Sequence, residues 1–435
     1  MLYSDKLICL HSAILTIYTK STMLTYLAFE IIALLIAIIS IGALMWEFLK
    51  NTNAVKIITS KRVILLFIVL GLSISVGFFA HKTYPPAFAM PPFDHSHAPG
   101  ELPASIPLSG IYNFFKYQHA FEKVTSIGAN PNNVPKTPQG PDSDGIIRIH
   151  LTAQEVISQI APDIYFNYWT YNRQVPGPMI RIKEGDTVEI SLTNDPSSLH
   201  DHNIDLHAVT GPGGGASLTH VKPGQTKTFR FKALNPGLYV YHCAMPNVST
   251  HNSHGQYGLI LVDPKKPLAK VDREFYIMQG ELYTMGQLGK KGLVPFDSKA
   301  LLDGRPNYVT FNGMIERAPR MEARVGDRIR MYVGNGGVNL ISSFHIIGEI
   351  FDTVYPEANI GGTIEKNVQT TAVLAGGATI VDFTVDVPGK YLLVDHALAR
   401  MNKGAWAMLT VTGPKNEHIF KEIPSENQEI PNTMH

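Results

Sequence analysis

The sequence repeats itself, and that repeat limits what the chain can fold into. PGPMIRIKEGDTVEISLTN at 176–194 is echoed by APRMEARVGDRIRMYVGN at 318–335, and PGQTKTFRFKALNPGLYVYHCA at 223–244 by AGGATIVDFTVDVPGKYLLVDHA at 375–397. In both copies a Gly-Asp turn and a Pro-Gly turn recur in the same order between short apolar-rich runs. Such runs, bounded by Gly and Pro, read as strands of a sandwich. A fixed internal echo reads as one structural unit used twice. From Gly145 onward the expectation is therefore an all-β, duplicated Greek-key fold with a boundary near 263–272.

In the first copy a strand runs directly into chemistry. Leu238, Tyr239, Val240 and Tyr241 lead to His242 and Cys243, and the loop that follows carries His251 and Gln256. A thiolate, an imidazole a few residues on and a weak axial donor after that are the parts of a mononuclear blue-copper centre. His202, in HDHNIDLH, is the candidate upstream imidazole. Neighbouring strand residues point to opposite faces, so Cys243 and His242 cannot reach into one cavity. The same parity puts His202 on one face and Asp205 with His207 on the other. Two metals could then sit back to back, His202 going with Cys243 and His207 with His242, linked by the peptide bond between Cys243 and His242. The second copy has no cysteine and so cannot hold a blue-copper site.

HNIDLH, YHCAMP, SSFHIIGEIFD and VDHA, taken together over residues 143–415, resemble the copper-containing, nitric-oxide-forming nitrite reductases. The resemblance implies two tandem cupredoxin sandwiches, 143–265 with a type 1 copper and 266–415, followed by a tail at 416–435. The type 1 ligands would be His202, Cys243, His251 and Gln256. Gln256 departs from the methionine usual in that family, with Met245 as the alternative axial donor. A harder oxygen donor should favour the oxidised ion and lower the potential.

The type 2 copper would be held by His207, His242 and His396, with a position left open for substrate. Asp205 and His345 would supply protons, since reducing nitrite to nitric oxide and water consumes two for each electron. Ile347 would cap the substrate. The resemblance further implies a homotrimer in which His207 and His242 come from one chain and His345 and His396 from the next. The partner would be an electron donor such as a c-type cytochrome, a small cupredoxin or a membrane-bound, quinol-linked protein.

The N-terminal part has a different character. Leu24–Phe48 is apolar but for Glu30 and Glu47, and Val63–Ala80 has no charge. Each is long enough to cross a bilayer, so residues 1–80 are expected to form two transmembrane helices, about 24–48 and 63–80. Lys50, Lys56, Lys61 and Arg62 place the loop between them in the cytoplasm, and everything after Ala80 outside the inner membrane, in the periplasm. The rival is a signal peptide cut after Ala87-Phe88-Ala89. Glu30 invites a proton relay, but a carboxylate reaching the interface is the simpler reading. Met23 is an alternative start.

Residues 81–142 read as an exported linker: a Pro-, Ala- and His-rich tether to 110 whose His95 and His97 form no site, a short helix at Ile111–Val124, and a turn-rich stretch at Asn130–Asp144. A net charge of +1 leaves no electrostatic footprint for nucleic acid. Cys9 lies in the apolar leader and is no partner for Cys243.

Three other classes fit less well. A multicopper oxidase needs paired His-x-His motifs and a His-Cys-His, whereas Ala244 follows Cys243 and the His200–His202 pair has no mate in the β-region. A cytochrome oxidase subunit II also carries two membrane helices before its copper domain, but its dinuclear copper takes two cysteines. A pure electron carrier would have no use for Asp205, His207, His345 and His396 together.

Overall fold

The two echoed turns close in the same way. A computed structural model describes residues 32–50, 57–83, 121–137, 140–315 and 320–423. In it Gly185 and Gly326 take φ of 95° and 91°, a region that glycine enters without steric cost. Asp186 Oδ2 accepts the Lys183 amide at 2.6 Å, and Asp327 Oδ2 accepts the Arg324 amide at 2.9 Å. Further on, Asn194 Nδ2 donates to the carbonyls of His200 and Val221, and Asn335 Nδ2 to those of Leu340 and Val373. Equivalent side chains thus tie down equivalent loops, so the sequence echo is a structural duplication.

Four sheets build two sandwiches. The first pairs the sheet containing Ile146–Ala161, Ile164–Tyr171, Thr187–Asn194 and Thr226–Lys232 with the sheet containing Ile180–Lys183, Asp205–Leu206, Gly237–His242 and Tyr257–Asp263. Ile147, Val188, Ile190, Leu206, Tyr241, Cys243 and Ile260 fill the space between them. The second pairs the sheet holding Arg273–Leu282, Tyr308–Phe311, Arg328–Asn335 and Ala378–Thr384 with the one holding Arg320–Arg324, Ser342–Ile347, Thr370–Val373, Gly389–Asp395 and Trp406–Thr412.

A third apolar cluster joins the halves: Leu238, Val240, Leu259 and Leu261 pack with Tyr276, Met278, Tyr332 and Ile380. The central strands of the first sandwich are therefore buried on both faces. Along Gly237–His242 and the residue after it, Tyr241 and Cys243 belong to the inner core while Leu238 and Val240 belong to the contact between halves. Alternate residues serve different environments, as strand geometry requires.

One expectation fails in this region. Where a helix was expected at Ile111–Val124, the described end, Glu122–Lys123, is a strand paired in parallel with Val156–Ile157. Phe121 is buried beside it, so pairing with a sheet edge overrides the helical spacing; residues 111–120, like Glu30, His95 and His97, lie outside the described residues.

The described residues of the N-terminal unit form helices. Ile32–Lys50 is, among the described residues, the helix long and apolar enough to cross a membrane. The second apolar run lies in the helix Lys61–Thr83. Leu44, Ile57 and Val63 cluster, and a Cβ on Gly77 would stand 3.4 Å from that of Ala33, so the two helices run antiparallel. Leu34, Leu35, Ile38, Ile39, Leu65 and Ile68 point outward.

Candidate metal centres

The strand Gly237–His242 carries one site on each side. On the inner side, His202, Cys243 and His251 bring ligand atoms within 4.8 Å of one another. His202 is set by a two-bond bridge to Val221, with N–O distances of 3.0 and 2.8 Å. The Cys243 amide donates to Gln256 O at 3.1 Å, which closes the loop on itself. His251 rides on the short helix Val248–Ser253, which Asn247 enters at φ 70°. Cys243 Sγ lies 3.3 Å from His251 Nδ1, and Gln256 Oε1 lies 3.2 Å from the same nitrogen. Gln256 thus faces the cluster; Met245 is partly buried against the apolar core that includes Cys243.

This pocket is dry. His202, Cys243 and Gln256 are fully buried and His251 nearly so. Neither ring nitrogen of His202 has a hydrogen-bond partner among the described residues, and a buried polar group left unpaired costs about 1–3 kcal/mol. Burial pushes the Cys243 thiol up to about 12, against the backbone amides of Asn203 and Met245. Burial also holds His251 and His202 below the ordinary histidine range. A neutral His202 with both ring nitrogens orphaned, a neutral His251 and a thiol held protonated by burial fit a soft, borderline metal.

On the other side, Asp205, His207 and His242 form a second cluster within 4.8 Å. Asp205 is the register partner of His242, and the two Nε2 atoms of His207 and His242 are 3.0 Å apart. Asp205 Oδ2 stands 3.9 Å from His242 Nε2. His242 Nδ1 lies 3.0 Å from Cys243 O, and the backbone of Gly376 holds the His207 ring. Such carbonyl partners fix the ring so that the other nitrogen faces a metal. Desolvation by the groups packed around the ring, and then the His242 imidazole, keep His207 below its ordinary range although part of the residue reaches solvent. Gly214, at φ 54°, passes directly over the carboxylate: a Cβ there would lie 1.9 Å from Asp205 Oδ1.

His345 and His396 form a separate pair in the second sandwich. Their rings meet edge to face at 5.2 Å, and His345 Nδ1 lies 2.6 Å from Gln369 O. Asp395, fully buried, accepts from Ser343 N and Ala397 N at 3.1 Å and from Arg400 at 2.6 Å, which sets the chain at His396. Ile347 shares the outward face of His345 and is 38% exposed. Among the described residues neither His345 nor His396 falls in the cluster of His207 and His242. His207 and His396 are both exposed.

Several residues around these sites escaped the sequence reading. Glu155 is buried on the neighbouring sheet beside His200 and His202. Trp169 stacks between His200 and His254, each at 4.3 Å, and meets His251 edge-on at 4.5 Å. Asn203 Oδ1 accepts the Ala244 amide at 2.7 Å and lies 3.5 Å from Cys243 Sγ. The signal for Glu155 was a lone carboxylate within the long run IIRIHLTAQEVISQIA.

The profile of the multicopper oxidase family matches residues 157–267. A copper-containing nitrite reductase of Neisseria gonorrhoeae is 49% identical over 338 residues, which is 76% of this chain and 86% of that protein. Among solved structures, a copper nitrite reductase from Nitrosomonas europaea superposes with a TM-score of 0.56 at 33% identity, over 62% of this chain and 95% of that one. A multicopper oxidase superposes with a TM-score of 0.55 over 66% of this chain and 98% of its own; at 24% identity that is a likeness of fold.

Proposed function

The chain belongs to the copper-containing nitrite reductase family, and on that premise we propose that it reduces nitrite to nitric oxide and water, using copper held in two ligand sets. His202, Cys243 and His251, with Gln256 as axial donor, are the type 1 set; His207 and His242, completed by His396, are the type 2 set. Copper bound there would supply a one-electron carrier at the thiolate and a Lewis acid at the imidazoles. The Cys243–His242 peptide bond is the covalent link between the sets.

Nitrite, one electron and two protons give nitric oxide and water. Asp205 stands beside the imidazoles, its Oδ2 3.9 Å from His242 Nε2, and in this reading its carboxyl delivers a proton to a nitrite oxygen rather than serving as a ligand. His345, steadied through Nδ1 by Gln369 O, keeps Nε2 for the second proton. Ile347 supplies an apolar wall.

The site is shared between chains in a homotrimer. Supporting this, His207 with His242 and His345 with His396 form two surface pairs that do not gather into one cluster among the described residues. The outward apolar faces of the two helices suit lipid, so the enzyme is anchored in the inner membrane with its sandwiches in the periplasm. The donor is a c-type cytochrome, a small cupredoxin or a membrane-bound, quinol-linked protein, and the anchor raises its effective concentration.

The observation that carries the reading is the partition of Cys243 and His242 between a dry Cys-His-His pocket and an open acid-imidazole cluster. Purified full-length protein given a reduced viologen and nitrite should release nitric oxide in proportion to electrons consumed. Ammonia as the product, or no turnover with copper loaded, would overturn it.

A further inference from the structure

We propose that Glu155 is a positioning residue for the Cys243 ligand set, a buried carboxylate whose charge orients the His202 imidazole and strengthens it as a donor. The inference rests on the reading of that set as a type 1 copper site. Glu155 sits in the strand Ile146–Ala161 with no solvent exposure. Its Oε1 accepts the amides of Leu199 and His200 at 2.7 and 2.9 Å, and it lies 3.0 Å from His200 Nδ1 and 3.7 Å from His202 Nε2. Its other oxygen has no hydrogen-bond partner among the described residues.

A buried carboxylate caps the equivalent turn in both copies: Glu155 accepts the amides of Leu199 and His200, and Glu281 those of Asn339 and Leu340. The two differ in what else they face. The second oxygen of Glu281 takes the Tyr283 hydroxyl, whereas that of Glu155 has no hydrogen-bond partner among the described residues and its first oxygen faces the His200 and His202 rings. The ring nitrogens of His202 have no closer partner among the described residues. Metal-ligating imidazoles are commonly oriented and made more basic by a carboxylate behind the other ring nitrogen. The wall that seals the carboxylate is Trp169, its cross-strand register partner, stacked on His200 at 4.3 Å. Negative charge behind His202 favours the oxidised ion, in the same direction as an oxygen donor from Gln256.

The test is the Glu155→Gln variant of the full-length, copper-loaded protein. The expected result is a higher midpoint potential and a shifted thiolate-to-copper absorption band, with copper content unchanged. A potential and spectrum identical to the parent's would reduce Glu155 to a turn cap and overturn the proposal. Should Glu155→Gln fail to fold, Glu155→Asp decides. It keeps the charge but draws it back from His202, so a smaller shift of the same sign supports the proposal and an unchanged potential refutes it. A parent protein without any such absorption band would instead defeat the type 1 reading on which the inference stands.

Discussion

Cys243 and His242 are neighbours in sequence whose side chains serve opposite sides of one strand: Cys243 Sγ lies 3.3 Å from His251 Nδ1 in the buried core, and His242 Nε2 lies 3.0 Å from His207 Nε2 at the open margin. In the proposed scheme the pair serves as a wire as well as a scaffold, because the shortest covalent path between the two ligand sets is a single peptide unit. Each half of the arrangement yields its own expectation.

The carboxylate beside the imidazoles is a proton donor in this scheme. Asp205→Asn should lower turnover by about 10²–10⁴ while copper stays bound, and full turnover would remove Asp205 from the mechanism. Gly214→Ala gives a second view, because its methyl would collide with Asp205 Oδ1. Displacing the acid by about 1 Å should cost roughly 10²-fold in kcat, checked by steady-state kinetics alongside copper analysis.

Gln256 faces the buried cluster through Oε1. Gln256→Met substitutes a soft thioether for an oxygen donor and should raise the type 1 midpoint potential in a spectroelectrochemical titration. An unmoved potential would mean that Gln256 is not axial.

The proposed sharing of the type 2 site between chains is open to a mixing experiment. His207→Ala and His396→Ala chains should each be inactive alone, yet regain about a quarter of the parent activity when refolded together as random trimers, since some interfaces then combine two intact halves. No recovery in demonstrably mixed trimers would place all the ligands within one chain.

The segment after Ile347 carries a pH-dependent element. Burial, with Asp386 and Asp352 nearby, pushes Glu349 up to about 7. The folded chain therefore holds this proton more tightly than the unfolded one. The stability this adds is fully present below the ordinary carboxylate range and is lost as pH rises through about 7. Glu349→Gln should melt close to the parent at pH 4 and above it at pH 8, a gap that calorimetry would detect; a gap independent of pH would contradict it.

Much of this was legible in the chain itself. The Gly-Asp and Pro-Gly echoes give the duplication because such turns need particular residues at particular positions. Parity separates Cys243 from His242 and groups Asp205 with His207, because side-chain direction along a strand follows from sequence alone. What the sequence hides is pairing at a distance. Glu155 and Trp169 meet the metal cluster through the register between Ile146–Ala161 and Ile164–Tyr171 and through the packing of one sheet on another. Gly214 reaches Asp205 through a loop whose path no local pattern specifies. The strand at Glu122–Lys123 arises the same way, since an edge partner 34 residues downstream outweighs the local apolar spacing.

In the proposed scheme two distinct metal sites sit on either side of the Cys243–His242 bond. Electron paramagnetic resonance of the purified, copper-loaded protein and of Cys243→Ala tests it most directly. Two mononuclear cupric signals are predicted in the parent; the variant should lose the thiolate-coordinated signal and the blue colour, keep the other, and fail to accept electrons from its physiological donor. A single signal in the parent, a dinuclear spectrum, or donor-driven nitrite reduction that survives in the variant would contradict it.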